Sequence, residues 1–194
     1  RVAAYTFHLN SRECFLDGIK RDRWVWSGDA YQSYFVNRVL YMDRELCRRT
    51  IWALRGKDPI EQHINTILDY SLYWVMSVGD YYETFGDADF VRQIWPRVRT
   101  MMDYCRASVN ADGFLEGREN DWVFIDWAEM DKEGALFAEQ VLFIKALEAA
   151  ARCAELSGED GGLYIRQADE LRSRLDEFFY DEEKGCYIDG YASG

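Results

Sequence analysis

The chain has 194 residues and a net charge of −12, with 48% hydrophobic and 16% aromatic residues. The acidity excludes nucleic acid and anionic membrane surfaces as partners, because both need a basic face. The apolar content excludes a disordered segment, and no apolar run approaches the roughly 18 residues of a membrane span.

The length is enough to bury a sizeable core. Two prolines and long unbroken patterns favour helix over a β sandwich. Cys14, Cys47, Cys105, Cys153 and Cys186 are odd in number and form no CxxC pair, which argues against a zinc site and a disulfide framework. They are expected as small buried apolar residues. His8 and His63 lack ligand spacing, and Gly113 and Gly161-Gly162 are turn glycines without a phosphate-loop pattern. No metal or other cofactor is expected. The sequence starts at Arg1 without Met or a signal peptide and ends in a Gly-rich tail, so we expect an excerpt of a larger protein.

A first helix is expected over 2–14. A second follows Gly28, capped by Asp29, with Tyr31, Tyr34, Phe35, Val39 and Leu40 at helical spacing. A third spans 44–55 with Leu46, Ile51 and Leu54 inward, closed by Gly56. After Pro59, a long pattern runs through Ile64, Ile67, Leu68, Leu72 and Val75 to Tyr82. Tyr73-Trp74 within it is more readily core packing than a ligand wall. Gly86-Asp87 ends that helix and starts another, which Pro96 opens or kinks. A loop-rich stretch over 110–133 carries many acids and two tryptophans. A strongly amphipathic helix covers 135–156, and a last one covers 162–179 before a turn and a short strand at 186–189. Six or seven helices in antiparallel pairs predict an all-α toroid or a solenoid; no fixed-period repeat favours the solenoid.

Residues 17–29 interrupt this helical pattern with three carboxylates, three cations and two tryptophans and no apolar periodicity. An irregular, chemically rich loop on a rigid scaffold is where binding and catalytic groups concentrate. Carboxylates beside indoles suit sugars, since the ring covers an apolar sugar face while the acids bond hydroxyls or move protons. A salt-bridged surface turn is the plainer alternative.

This loop resembles the signature of glycoside hydrolase family 78, the α-L-rhamnosidases, whose pattern is Asp-Cys-Pro-x-Arg-Glu followed by Gly-Trp-x-Gly-Asp. Asp17, Arg21, Asp22, Trp26, Gly28 and Asp29 occupy matching positions, Gly18-Ile19 replaces Cys-Pro, and Asp22 stands where the family usually has Glu. Asp126-Trp127 resembles an internal substrate-site element of the family. The resemblance implies a six-hairpin (α/α)6 barrel, with residues 1–194 as the N-terminal portion of a single catalytic domain. The remainder of that barrel and any β domains would lie outside these residues. It implies inverting hydrolysis of terminal α-L-rhamnosides in glycans or glycosides. Asp22 would be the general acid, Asp17, Arg21, Asp29, Asp126 and Trp127 would bind substrate, and Trp26 would form an apolar wall. The family's base is a Glu well downstream, beyond Gly194, so no turnover is expected from residues 1–194 alone. A periplasmic or extracellular setting is favoured by the same resemblance.

Each position has a plainer role open to it. Asp29 can be only a helix cap, Arg23 a solvated cation, Asp126 an exposed loop acid and Trp127 a core residue. The shorter Asp22 keeps a second reading open, a carbohydrate-binding helical domain with impaired catalysis. A third is an α-solenoid interaction module without sugar chemistry.

Overall fold

In the computed structural model, which describes residues 1–20 and 22–191, the chain forms seven α-helices among the described residues. They are α1 (Val2–Asn10), α2 (Ser27–Leu40), α3 (Arg44–Arg55), α4 (Leu68–Phe85), α5 (Ala88–Arg106), α6 (Phe137–Leu156) and α7 (Gly162–Phe179). The strands β1 (Ala135–Leu136), β2 (Tyr180–Asp181), β3 (Cys186–Tyr187) and β4 (Gly190–Tyr191) make two small antiparallel pairs. In one, Ala135 faces Tyr191; in the other, Tyr180 faces Tyr187.

Helix α4 packs between α2 and α6, and α3, α5 and α7 back this inner row. An inner helix must be apolar around most of its circumference. Accordingly, α4 buries residues on nearly every side, from Leu68, Leu72 and Val75 to Trp74 and Val78. The Trp74 indole is completely buried and donates from Nε1 to the Ile51 carbonyl at 2.8 Å, tying α4 to α3. Helices α4 and α6 approach closely because residue 79 is glycine, where a Cβ would lie 3.0 Å from Ala149 Cβ. The Asp43 and Asp87 carboxylates cap α3 and α5 by accepting from the Leu46 and Phe90 amides.

Several boundaries differ from expectation. Helix α1 stops at Asn10, where the Ser11 hydroxyl and amide bond back to the Phe7 and His8 carbonyls. Helix α2 begins at Ser27, so Asp29 is not its cap but a first-turn acid, and Trp26 holds the cap position. The pattern at Ile64–Thr66 forms a 3-10 turn, and α4 starts only at Leu68 because Asn65 and Thr66 take positive φ. Pro96 lies inside α5 without dividing it. Cys47, Cys105 and Cys153 are buried, Cys14 is half-buried, and Cys186 is exposed on a short strand, against the expectation of burial. Among the described residues, no helix is long and apolar enough to cross a membrane.

A buried polar chain anchors the 118–123 loop to α4. The Ile64 amide donates to Ser71 Oγ at 3.0 Å, and Ser71 Oγ lies 3.0 Å from His63 Nδ1. His63 Nε2 faces Asp121 Oδ2 at 3.5 Å. Burial pushes His63 down to about 4, against the opposing pull of Asp121.

Two outcomes follow from this packing. Trp74→Ala should lose about 3–5 kcal/mol of stability in urea unfolding followed by circular dichroism, whereas Trp24→Ala, at an exposed indole, should stay within about 0.5 kcal/mol. For His63, the unfolded state takes up a proton near 6.5 that the folded state refuses until about 4. Stability from this group is therefore full above pH 6.5 and falls progressively as pH drops to about 4. Urea midpoints measured across that window should fall less steeply in His63→Gln than in the parent chain.

Candidate active site

A cavity of about 450 Å³ opens where the N-terminal ends of α2 and α4 meet the 122–127 loop. From the signature loop and α2 come Asp17, Asp22, Trp26, Gly28, Asp29 and Gln32. From the start of α4 come Ile67, Asp69, Tyr70 and Tyr73, and the loop adds Trp122, Phe124, Ile125, Asp126 and Trp127. The structure thus brings six sequence-predicted residues together: Asp17, Asp22, Trp26, Asp29, Asp126 and Trp127. Arg21 lies outside the described residues.

Asp17 closes the signature loop. Its Oδ1 accepts from the Gly18 amide at 2.7 Å and the Trp24 amide at 3.2 Å, and its own amide donates to the Trp24 carbonyl at 3.1 Å. These bonds pin Asp17 to Trp24 at the neck of the loop, and Asp22 is exposed and faces the cavity. Arg23 is exposed, as expected for a solvated cation, and takes a left-handed φ of 53°. Asn65 clamps the entry to α2, accepting from the Ser27 amide at 2.9 Å and donating to the Val25 carbonyl at 3.1 Å.

Asp29 lies where the three signature acids converge. Burial pushes its carboxyl up, and the charge of Asp17 adds to this, with a smaller push from Asp22. The Tyr70 hydroxyl donates to Asp29 Oδ2 at 3.4 Å and pulls the other way. Burial and the charge of Asp29 push the Tyr70 phenol up, so it stays a donor. Tyr70 reaches this position by lying against Gly28, where a Cβ would come within 2.6 Å of its ring. Trp26 meets the same ring edge-on at 6.3 Å between centroids and lines the cavity.

The opposite wall is aromatic and held by backbone bonds. Trp122 exchanges hydrogen bonds with the 66–68 segment, donating to the Thr66 carbonyl at 3.1 Å and accepting from Leu68 at 3.0 Å. The Phe124 amide donates to Asp69 Oδ1 at 3.1 Å. Trp122, Phe124 and Trp127 then cluster with centroids 5.0–6.3 Å apart in edge-to-face pairs. Lys132 braces the turn from behind, donating to the Phe124 and Asp126 carbonyls at 2.5 and 3.0 Å. Asp126 is exposed and folds the turn by accepting from the Ala128 amide at 2.9 Å. Trp127 is 80% exposed at the rim, so it is not a core residue. Trp74 is core and Tyr73 lines the cavity, which divides the Tyr73-Trp74 pair between the two roles weighed for it.

Sequence reasoning passed over Asn65, Asp69 and Tyr70 as site residues. The available signal was Asp69, an acid inside an apolar run, where only a specific partner justifies burial. Among the described residues, no group of three or more His, Cys, Asp or Glu side chains is placed to hold a metal ion.

Residues 1–193 match the family described as the bacterial alpha-L-rhamnosidase 6 hairpin glycosidase domain. No curated protein sequence matches the chain. Among solved structures, a rhamnosidase from Klebsiella oxytoca with rhamnose bound is similar at 28% identity and a TM-score of 0.83, over 97% of this chain and 39% of that one. The family 78 rhamnosidase of Bacillus sp. GL1, at 23% identity, shares the fold with a TM-score of 0.86, over 97% of this chain and 21% of that one. The chain thus spans well under half the length of either structure. With its paired helices and its whole described length matched, the chain belongs to the six-hairpin glycosidase domains of bacterial α-L-rhamnosidases, glycoside hydrolase family 78.

Proposed function

We propose that this domain hydrolyses terminal α-L-rhamnosides with inversion, as the N-terminal portion of a single (α/α)6-barrel catalytic domain. The observation that carries this reading is the convergence of Asp17, Asp22 and Asp29 on one side of the cavity, facing an aromatic wall. A six-membered deoxysugar has hydroxyls for the acids and an apolar face for the rings. A neutral ligand also tolerates the concentrated negative charge. The apolar edge of α2, with Val36, Val39 and Leu40 exposed, supports further helices packing there.

In this reading Asp22 gives its proton to the glycosidic oxygen as the bond to the anomeric carbon breaks. A water attacks that carbon from the opposite face and loses a proton to a base. We assign that base to no residue of this chain. Asp29 and Asp17 hold sugar hydroxyls, Asp17 through the oxygen not used in pinning the loop. Trp26 covers an apolar edge of the sugar, and Asp126 and Trp127 contact it from the opposite side. Arg21 braces the carboxylates.

The test compares hydrolysis of 4-nitrophenyl and alkyl α-L-rhamnosides by the intact protein carrying this domain. Asp22→Asn should cut the alkyl rhamnoside rate by about 100-fold or more, and the 4-nitrophenyl rate less, since nitrophenolate leaves without protonation. If that leaving-group dependence appears in Asp29→Asn instead, the acid assignment is wrong. If the parent protein cleaves no glycoside, the carbohydrate-binding reading replaces this one.

A further inference from the structure

Behind the cavity lies a carboxyl group that the proposed chemistry does not use. Glu139, in the first turn of α6, is 2% exposed, and neither of its side-chain oxygens has a hydrogen-bond partner. Its neighbour Gln140 is equally buried but fully satisfied. Gln140 accepts from the Leu115 amide and donates to the Leu115 and Leu136 carbonyls, at 2.8–3.0 Å. The fold therefore supplies partners to a neutral amide and none to the acid beside it. A buried carboxylate in that condition is costly unless it gains a proton or a partner.

Asp69 presents the matching vacancy. It too is completely buried, in the first turn of the adjacent α4. Its Oδ1 takes the Phe124 amide, while Oδ2 is buried without a partner. Burial first, and then the charge of Asp69, pushes the Glu139 carboxyl well up. Asp69 is itself pushed up, by burial first, against the pull of backbone amides and, least, of Lys132; the remaining titratable groups that respond to the pair are Tyr70 and Tyr73 from α4 and Cys105 from α5, all pushed up by burial first. None of these places a cation on Glu139.

We infer that Glu139 is a neutral carboxylic acid that donates its proton to Oδ2 of Asp69, and that the pair positions the 124–127 wall of the cavity. One proton then serves two acids, as like charges in a shared dry site require. Asp69 keeps its charge for the Phe124 amide, and repulsion between α4 and α6 at their first turns is removed. Glu139 is a positioning residue, acting on sugar through Asp69 and the loop. Its functional consequence rests on the sugar-site reading; the shared proton does not.

Infrared spectroscopy of the purified protein at neutral pH tests this. A protonated-carboxyl C=O stretch should be present and should vanish in Glu139→Gln. Identical spectra for the two proteins would overturn the inference. Should Glu139→Gln fail to fold, Asp69→Asn serves: loss of the charged acceptor should move the same band to higher frequency, and an unmoved band is fatal. Rhamnose quenching of tryptophan fluorescence supplies the second readout. Glu139→Ala should weaken binding about tenfold, and Glu139→Gln should restore it to within about twofold of the parent. Equal weakening by both substitutions would overturn the positioning role. Absence of quenching in the parent protein would count against the sugar reading, while the infrared band would still decide the shared proton.

Discussion

The Tyr70 ring lies against the backbone of α2 because residue 28 has no Cβ, and a methyl there would fall 2.6 Å from the ring. That contact sets how closely α2 and α4 can approach at the end where their first turns open into the cavity. From it follow the hydrogen bond from Tyr70 to Asp29, the edge contact with Trp26, and an edge contact with Phe124 on the opposite wall at 5.9 Å. One tyrosine thus touches both sides of the site, and its placement depends on a glycine in a different helix. Any side chain at residue 28 would have to move the ring and, with it, both walls.

Charge explains why these helix ends are arranged this way. Asp29, Asp69 and Glu139 each occupy the first turn of an inner helix, where the partial positive end of the helix dipole favours an acid. The three are not equivalent. Asp29 borders the cavity and accepts from the Tyr70 phenol, Asp69 accepts from the Phe124 amide, and the Glu139 carboxyl has no hydrogen-bond partner among the described residues. Burial pushes all three carboxyls up. A helix dipole alone does not offset the burial of Glu139, since burial dominates the upward push on its carboxyl.

Residues 17–29 were legible as a site because their chemistry contradicts any regular period. The helices were legible because apolar spacing near 3.6 is a local property. What lay beyond the sequence was the partner of each group. Nothing near Asp29 in the chain announces Tyr70, which is 41 residues away. Asp69 sits in a run, Ile67-Leu68-Asp69-Tyr70, that reads as the middle of an apolar helix, whereas two positive-φ residues place it at a helix start. The expected cap at Asp29 failed for a related reason. Asn65 supplies the hydrogen bonds that enter α2, so the helix begins three residues early and frees the Asp29 carboxylate to face the cavity. Trp127 was open to a core reading because indoles are usually buried. Its 80% exposure follows from a turn held by Asp126 and Lys132, which directs the ring to the rim.

The shorter acid at residue 22 is best understood through the loop that carries it. Two hydrogen bonds join Asp17 to Trp24 at the neck of that loop, so the placement of Asp22 is set by backbone as well as by the length of its side chain. One methylene changes the reach of a carboxyl by about 1.5 Å, a bond length that a backbone loop can supply by sitting closer to the cavity. Asp22 does line the cavity beside Asp17 and Asp29, and its charge registers at Asp29. In the proposed reading, where Asp22 is the proton donor, its reach into the cavity follows from the neck that Asp17 closes.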